Sequence, residues 1–401
     1  MTGALMDGTP NDDTLIGDDN GNDLNGGGGN DRIYGQGGPD RLFGGTDDDL
    51  FRSVGNDGAD TMDGGEGRDT ISYAEALEGV TLRLDDQPHL NAGAALGDVL
   101  VNIEDVEGTA HDDIIVGNSV GNRLFGGEGN DSLYGQGGND TLYGWSGNDL
   151  LNGGDGNDAL WGSSGSDTLY GGNGQDTLRG QSGDDEFFDN AENVRDYFFG
   201  SYGNDTFHGG GGDDLIHGGA GDDMFFTDGD DGSDRIYGNQ GVDTVDYSGA
   251  SQGVTIRLDN QQNLNSGAAL GDQLNTIDNL TGTAFNDVIV GDLEANRLDG
   301  GAGNDTIAGQ AGNDTLVGDG GSDTFIFSDG DGFDTITDFD ATDDNEQISL
   351  ANISAITDFT DLTNNHMSQD GNDVIINTGS GEVRLLNTLL ADLQDGNDFI
   401  F

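Results

Sequence analysis

The sequence contains no cysteine, which excludes a disulfide framework, a thiolate metal site and a cysteine nucleophile. It also contains no lysine, and its 12 basic residues, all arginine, face 78 acidic residues, giving a formal net charge of -66. A surface of that sign repels nucleic acid and bare anionic membranes. No apolar run approaches the roughly 18 residues that a membrane-spanning helix needs. Nucleic acid is therefore excluded as a partner, and we expect no membrane span.

The first residues, MTGALMDGTPNDD, have neither a basic stretch nor an apolar core, so we expect no cleaved secretory signal at this end. Glycine is abundant, with 75 residues against a usual share of about 7%. Composition alone would predict disorder, because few apolar residues must hold together a self-repelling chain. The order of the residues argues for a fold.

A nine-residue repeat, G-G-x-G-x-D-x-U-x with U apolar, runs through most of the chain. Units begin at 8, 17, 26, 35, 44, 55 and 64, then every nine residues from 108 to 180, then at 191, 200, 209, 218, 229, 238, 282, 291, 300, 309, 318 and 329. All 28 eighth positions are apolar, and the sixth position is Asp in 25 units and Asn in three, at Asn22, Asn122 and Asn296. An invariably apolar position predicts a side chain that faces the core.

Each unit divides into a glycine-rich turn of six residues and a three-residue strand with one side chain pointing inward. Two units complete a coil of eighteen residues, and the coils stack as parallel strands because no single coil can bury its own core. Stacked turns bring aspartates together with few arginines nearby, which requires a compensating cation. Carboxylate and carbonyl oxygens favour Ca²⁺ over zinc or copper.

This pattern resembles the repeats-in-toxin (RTX), or haemolysin-type, calcium-binding proteins of type I secretion. The resemblance implies an all-β parallel β-roll, or β-solenoid, in which aspartates of successive turns on one side hold Ca²⁺ together with backbone carbonyls. Carried over residue by residue, it implies the following metal ligands: Asp31, Asp40, Asp49, Asp131, Asp140, Asp149, Asp158, Asp167, Asp176, Asp185, Asp205, Asp214, Asp223, Asp305, Asp314 and Asp323. We expect roughly 15 ions in all, with weak or absent sites at the three units that carry Asn.

A longer duplication divides the chain into two related halves. Residues 55–144 align without a gap with residues 229–318. We predict one roll half at 1–190, a second at 191–337, and a small C-terminal α+β cap at 338–401. The resemblance further implies that the C-terminal region carries an uncleaved signal for the type I secretion machinery.

One interruption lies in each half, at 73–107 and 247–281. In the first, Val80, Leu82 and Leu84 alternate with Thr81 and Arg83, which predicts a strand with one buried face. We expect each interruption to continue the solenoid without calcium and to carry one protruding loop, near 91–97 in the first half.

No zinc-protease H-E-x-x-H and no G-x-S-x-G occurs, so the sequence predicts no catalytic residues and no enzyme activity. The aspartates repeat too regularly for general acid–base pairs, since carboxylates on calcium stay ionised. His208 and His217 are nine residues apart, which places them on opposite sides of the roll. We interpret the histidines as surface residues.

Aromatic residues recur at the ninth position, where side chains point outward. One face of the run 108–188 carries Phe125, Tyr143 and Trp161, and the other carries Tyr134, Tyr170 and Phe188. Such a row can pack against another roll or stack on sugars, and the first is the simpler interpretation.

The sequence therefore predicts a secreted calcium-binding protein, located outside the cell or at its surface, that folds on export and has a structural, adhesion, surface-layer or matrix role. The alternative is a polysaccharide-binding or polysaccharide-modifying protein, similar to the accessory modules of RTX proteases, lipases and alginate epimerases. Its partners would be calcium, the secretion machinery and, through the outward aromatics, polysaccharide or another copy of the chain.

Overall fold

The computed structural model describes residues 5–55, 58–85, 87–190, 193–227, 232–342, 345–393 and 396–401. The chain forms two compact units, Met1–Asp205 and Thr206–Phe401. The predicted boundary at residue 191 lies outside the described residues. Regular structure in both units is almost entirely β-strand, and each unit is a parallel β-solenoid. The predicted fold class is confirmed.

Strands in the first unit alternate between stacked parallel sheets. One sheet contains Leu5–Asp7, Asp23–Gly28, Arg41–Thr46, Thr61–Glu66 and Val99–Val101. A second contains Thr14–Ile16, Arg32–Tyr34, Leu50–Arg52, Thr70–Ser72, Asp105–Glu107, Arg123–Glu128, Thr141–Ser146, Ala159–Ser164, Thr177–Ser182 and Tyr197–Tyr202. A third contains Ala92–Gly93, Val80–Arg83, Ile114–Val116, Ser132–Gly137, Leu150–Asp155, Thr168–Asn173 and Glu186–Phe188.

The second unit repeats this plan. One row of strands contains Thr206–His208, Met224–Phe226, Thr244–Asp246, Asn279–Thr281, Arg297–Asp299, Thr315–Val317, Phe333–Ile336, Glu382–Leu385, Asp373–Asn377 and Met367–Asp370. The others contain Leu215–Ala220, Arg235–Gln240 and Gln273–Asn275, and Ser266–Gly267, Val254–Arg257, Val288–Val290, Thr306–Ala308, Thr324–Ser328, Gln347–Asn352 and Phe399–Ile400. The described helices are short: 3₁₀ turns at Pro88–Leu90 and Gln262–Leu264, an α-helical turn at Phe359–Asp361 and a π-helical turn at Leu362–His366. None of them is long enough to cross a membrane.

The register confirms the predicted coil of two nonapeptides. Leu124 pairs with Leu142, Leu142 with Leu160, and Leu160 with Leu178, each eighteen residues further along. All 28 eighth-position side chains are buried, none more than 9% exposed. A thin line of stacked apolar side chains is therefore the core of each unit, and every turn lies at its edge.

The inserts continue the solenoid. Val99–Val101 pairs with Thr61–Asp63, and Asp105–Glu107 pairs with Thr70–Ser72, so the insert supplies one further coil. The predicted strand with alternating burial is Val80–Arg83, in which Val80 and Leu82 are buried. The loop near 91–97 protrudes only in part: Leu96 is 65% exposed, whereas Asn91, Ala94 and Ala95 are buried. The Asn91 side chain accepts a hydrogen bond from the Arg83 N–H (2.9 Å) and donates one to the Asp98 carbonyl (3.0 Å).

The C-terminal segment extends the sheets of the second unit. Phe399–Ile400 pairs in parallel with Gln347–Asn352, and Glu382–Leu385 pairs in parallel with Phe333–Ile336. The antiparallel strand Asp373–Asn377 then covers Glu382–Leu385. The end of the apolar line is thus covered, as the predicted cap requires.

Candidate calcium sites in the turns

The sixth-position aspartates form a connected line along each row of turns. The Asp131 N–H donates to Asp149 Oδ1 (2.8 Å), and the Asp149 N–H donates to Asp167 Oδ1 (2.8 Å). The Asp167 N–H donates in turn to Asp185 Oδ1 (2.9 Å). A backbone N–H of a neighbouring coil therefore fixes one oxygen of each carboxylate. Because the carboxylate is planar, this also fixes the direction of the other oxygen.

That other oxygen points into the turn of its own unit. A Cβ atom built on Gly153, the first residue of its unit, would lie 2.6 Å from the Gly171 carbonyl oxygen and closer still to Asp158 Oδ2. The same position beside Gly44 is bounded by Asp49 Oδ2 and, at 2.6 Å, by the Gly64 carbonyl oxygen. Each such turn therefore contains a small space into which carboxylate and carbonyl oxygens converge.

The second position of the unit has left-handed backbone in these turns. Gly127 has φ 121°, and non-glycine residues at the same position, such as Gln136 and Gln181, have φ 79° and 80°. At the fourth position, a Cβ atom on Gly147 would collide with the Gly129 carbonyl oxygen, so only glycine fits there. These two positions explain why the repeat is glycine-rich.

A second kind of turn is closed by the backbone itself. The Thr109 N–H donates to Asp113 Oδ2 (2.6 Å), and the Thr283 N–H donates to Asp287 Oδ2 (2.6 Å). The Asn118 N–H likewise donates to Asn122 Oδ1 (2.9 Å). In these closed turns, the N–H group binds the side-chain oxygen that has no hydrogen-bond partner in the open turns. A closed turn therefore has one oxygen fewer to bind a cation.

The units that carry Asn have an internal substitute for a cation. Asn122 Nδ2 donates to the Glu104 carbonyl (2.8 Å), and Asn296 Nδ2 donates to the Asp278 carbonyl (3.0 Å). An amide donor therefore satisfies a carbonyl oxygen at these turns, which agrees with the expectation of weak or absent sites there.

All sixteen predicted ligands are at most 3% exposed. Ten of them have a buried Oδ2 with no hydrogen-bond partner in the described structure: Asp31, Asp49, Asp131, Asp140, Asp149, Asp158, Asp167, Asp185, Asp305 and Asp314. The other six are equally buried and make further contacts: Asp40, Asp176, Asp205, Asp214, Asp223 and Asp323. The sixteen thus occupy one structural position, and their role as metal ligands stays a prediction.

Two aspartates with the same geometry were missed by the sequence analysis. Asp69 and Asp243 have a buried Oδ2 without a hydrogen-bond partner. Their N–H groups donate to Glu104 Oε2 (2.9 Å) and Asp278 Oδ2 (2.8 Å), which belong to the inserts. Both residues stand at the sixth position of a nonapeptide, so the signal was present in the sequence.

Burial without a counter-charge changes the acidity of these carboxyls. Burial, together with the charges of nearby aspartates, raises the pKa of Asp131 and Asp185 to about 8. For Asp158 and Asp167, burial raises the pKa to about 7. A row of such groups resists carrying negative charge at neutral pH unless a cation is present.

The donor set fits Ca²⁺. Carboxylate and backbone carbonyl oxygens are hard ligands, and an array of buried carboxylate oxygens without hydrogen-bond donors is what a divalent hard cation satisfies. The described open turns contain no histidine, since His111 lies in the closed turn of Asp113, and the chain has no cysteine.

Groups outside the turns show other arrangements. His208 stacks on Phe226 with ring centroids 4.8 Å apart, and His217 stacks on Tyr237 at 4.6 Å, in different sheets. In the second insert, Arg257 binds Asp259 through two hydrogen bonds (3.0 and 2.5 Å), which lower the pKa of Asp259 to about 2. Asp259 is therefore held ionised at neutral pH and is unsuited to act as a general acid.

The outward aromatics stack on one another. Phe125 and Tyr143 are parallel with centroids 5.2 Å apart, and Tyr143 and Trp161 follow at 4.6 Å. On the other face Tyr170 stacks on Phe188 at 4.8 Å. Each ring is stacked on an aromatic side chain of the neighbouring strand. The stacked faces are therefore covered, and the ring edges point outward.

The chain was compared with family models, with solved structures and with curated proteins. A family model described as the RTX calcium-binding nonapeptide repeat (4 copies) matches residues 7–42, 16–51, 54–72, 116–151, 152–187, 193–227, 228–249, 274–307 and 290–325. Among solved structures, the extracellular lipase LipA from Serratia marcescens is similar, at 18% identity and a TM-score of 0.21 over 62% of this chain and 45% of the lipase chain. No curated protein matches.

Proposed function

The chain belongs to the family of RTX calcium-binding nonapeptide repeat proteins, and we propose that calcium folds it outside the cell into a structural or adhesive component of a surface layer or matrix. RTX repeat proteins bind calcium and are typically secreted. The structural role and export through a type I secretion machinery are the parts of this statement that we propose.

The observation that supports the proposal is the burial of carboxylate oxygens without hydrogen-bond donors, turn after turn. Burying even one unpaired charge is costly, and a buried row of them is incompatible with a stable fold at neutral pH. Bound Ca²⁺ would supply the missing positive charge and the missing ligand partner. The chain would then fold only where calcium is abundant.

The open turns define which residues would hold the ions. They include the ten predicted aspartates with an open Oδ2, together with Asp69 and Asp243. Roughly 15 ions would bring about +30 against the formal charge of -66, which removes close to half of the self-repulsion. The carbonyl oxygens of the first glycines, such as Gly171, would complete the ligand set.

A calcium titration followed by circular dichroism tests the folding proposal. We expect a disordered spectrum in chelator and a cooperative gain of β signal as calcium is added, because ions that bind only the native state stabilise it by mass action. Magnesium at the same concentration is the control, since it prefers smaller and more rigid sites. Full β signal in chelator at neutral pH would reject the proposal.

A second candidate function is polysaccharide binding or modification. It is favoured by an ion pair that occurs in both inserts. Arg83 contacts Asp85 (2.5 Å) and Arg257 contacts Asp259 (2.5 Å), and all four side chains are partly exposed. Activity on a panel of polysaccharides that is lost in both Arg83→Ala and Arg257→Ala would support modification at the inserts. Activity unchanged by both substitutions would place it elsewhere.

A further inference from the structure

Trp145 stands apart from the other aromatics of the first unit. Its side chain is 57% exposed, and its backbone is left-handed with φ 78°. It occupies the second position of its unit, where the described non-glycine residues with positive φ are otherwise polar, such as Gln136 and Ser163. Exposure of a large apolar ring and left-handed backbone at a non-glycine residue are both unfavourable for stability. Backbone strain of this kind is concentrated at functional positions.

The Trp145 ring is exposed and is not stacked on another ring in the described structure. Its cross-strand neighbours are Gly127, which has no side chain, and Ser163. Its ring contact in the described part of the chain is with Tyr143, tilted by 38° with centroids 6.4 Å apart, which is not a stack. Trp145 therefore differs from Tyr143, which is covered on one face by Phe125 and on the other by Trp161.

A groove of about 820 Å³ runs beside the indole. Apolar surface in the groove comes from Phe125, Trp145, Ala74 and Ala110. Polar side chains also line it: Glu107, Thr109, Glu128, Ser146, Ser163, Ser164, Gln181 and Ser182. A site of this size that combines aromatic surface with a few polar groups is typical of small-molecule or oligomer binding.

The polar side chains of the groove are held in place and keep capacity for a ligand. Ser182 Oγ donates to the Ser163 carbonyl (3.0 Å), and Gln181 Nε2 donates to Ser163 Oγ (3.2 Å). Each hydroxyl oxygen keeps lone pairs, and Gln181 keeps its amide oxygen as an acceptor. The groove therefore presents several fixed acceptors and donors along its length.

Charge selects among ligands. The strands Thr141–Ser146, Ala159–Ser164 and Thr177–Ser182 contain no acidic residue, although the whole chain contains 78. Their one charged side chain, Arg179, lies between Trp161 and Phe199, 5.7 and 4.8 Å from the ring centroids. Two carboxylates line the groove, those of Glu107 and Glu128, and both lie on strands that precede the strand of Trp145. The strands that carry Trp145, Ser163 and Gln181 offer a cation no carboxylate, and the charge of -66 repels polyanions at range.

We propose that the groove beside Trp145 binds a neutral polysaccharide, with the apolar face of a pyranose ring on the indole and the sugar hydroxyls on the serines and Gln181. A pyranose combines a flat C–H face with a rim of hydroxyls, which matches an open aromatic face beside hydroxyl and amide groups. This inference rests on the second candidate function and assigns its binding site to the first unit, beside the first insert, which contributes Ala74 and Glu107 to the groove.

Affinity electrophoresis of the calcium-loaded chain in gels containing dextran, hydroxyethyl cellulose, xyloglucan or alginate tests the site. The variant is Trp145→Gly, which removes the ring and places the repeat's own residue on a left-handed backbone, so that folding is preserved. The control is Gln136→Gly, which makes the same backbone change on the other sheet. Circular dichroism in calcium checks the fold of both variants.

We expect at least one neutral polysaccharide to retard the wild-type chain and Gln136→Gly equally, with affinity reduced at least tenfold in Trp145→Gly. The ligand should also shield Trp145, one of two tryptophans, from fluorescence quenching by acrylamide. Equal binding by Trp145→Gly, binding of alginate alone, or no binding to any neutral polysaccharide by a chain that folds with calcium would overturn this inference. Those outcomes would leave the calcium-dependent folding intact, because circular dichroism reports it separately.

Discussion

At the scale of single residues, one difference decides what a turn can hold. In open turns the second residue is left-handed and the aspartate Oδ2 is unsatisfied, as at Asp149. In closed turns the second residue donates its N–H to that oxygen, as Thr109 does to Asp113. The repeat motif identifies both kinds of turn, but the backbone conformation of the second residue separates them.

Replacing one open aspartate tests this distinction. Asp149→Asn keeps the oxygen that accepts the Asp131 N–H but replaces the unpaired oxygen with an amide NH₂ group. We therefore expect the variant to bind one or two ions fewer. Its unfolding free energy in saturating calcium should fall by roughly 1–3 kcal/mol. The matched control is the exposed Asp155→Asn, which should bind as many ions as the wild type. Ion counts by equilibrium dialysis, with unfolding in urea, give both quantities. Equal ion counts for Asp149→Asn and the wild type would contradict the assignment.

The pH dependence of the calcium-free chain follows from the raised pKa values. Burial raises the pKa of Asp131 and Asp185 to about 8 in the fold, against about 3.9 in the unfolded chain, so the folded chain binds more protons between these values. Protonation therefore stabilises the calcium-free fold below about pH 4, and this contribution is lost as pH rises to about 8. In chelated buffer we expect more β signal by circular dichroism at pH 5 than at pH 8. A larger β signal at pH 8 would show that the carboxylates are not desolvated.

At the scale of strands, outward stacking adds to what the buried leucines provide. Phe125, Tyr143 and Trp161 stack along one sheet, and Arg179 extends the row to Phe199. These contacts join five consecutive coils of the first unit outside the core. Their spacing is set by the strand spacing, since each member comes from the next strand of the sheet.

Two tyrosines at the ninth position allow the stack to be measured. Tyr143 lies between two rings, whereas Tyr134 pairs across the sheet with Asn152. We expect Tyr143→Ala to lower the unfolding free energy in calcium by about 1 kcal/mol more than Tyr134→Ala, the usual value of an aromatic pair beyond its area. Urea unfolding of both variants at fixed calcium gives the difference. Equal losses would show that the stack contributes nothing beyond burial.

Each insert contains a buried hydrogen bond from a tyrosine to an aspartate. Tyr73 Oη donates to Asp98 Oδ2 (2.7 Å), and Tyr247 Oη donates to Asp272 Oδ2 (2.7 Å), at equivalent places in the two halves. Tyr73→Phe removes the donor from a buried carboxylate, so we expect a loss of roughly 1–3 kcal/mol in thermal or urea unfolding. Tyr143→Phe, which removes a hydroxyl at the surface, should change stability much less. If Tyr73→Phe left the unfolding free energy unchanged, this hydrogen bond would not stabilise the insert.

The sequence predicts the repeating coils of the fold but not the places where the repeat is interrupted. The apolar eighth position and the eighteen-residue coil follow from the period alone, because each strand repeats the same local choice. The buried loop at Asn91 and the replacement of a stacked aspartate by Glu104 could not be predicted, since both depend on contacts between residues distant in the sequence. The left-handed conformation of Trp145 agrees with its place at the second position of an open turn, where Gln136 and Gln181 have the same backbone.

At the scale of the whole molecule, charge is the central quantity. A chain with a formal charge of -66 and sixteen repeat aspartates buried to at most 3% exposure is not stable by apolar contacts alone. Membership of the RTX family makes calcium the cation that offsets this charge. If calcium is required for folding, as we propose, folding depends on the calcium concentration of the compartment that the chain occupies.

The most direct test is a crystal structure of the calcium-loaded chain with anomalous data collected to locate the ions. The account predicts calcium peaks at the open turns, including those of Asp69 and Asp243, and no peaks at the closed turns of Asp113 and Asp287. A compact fold whose open turns contain no calcium, or peaks distributed equally over open and closed turns, would contradict it.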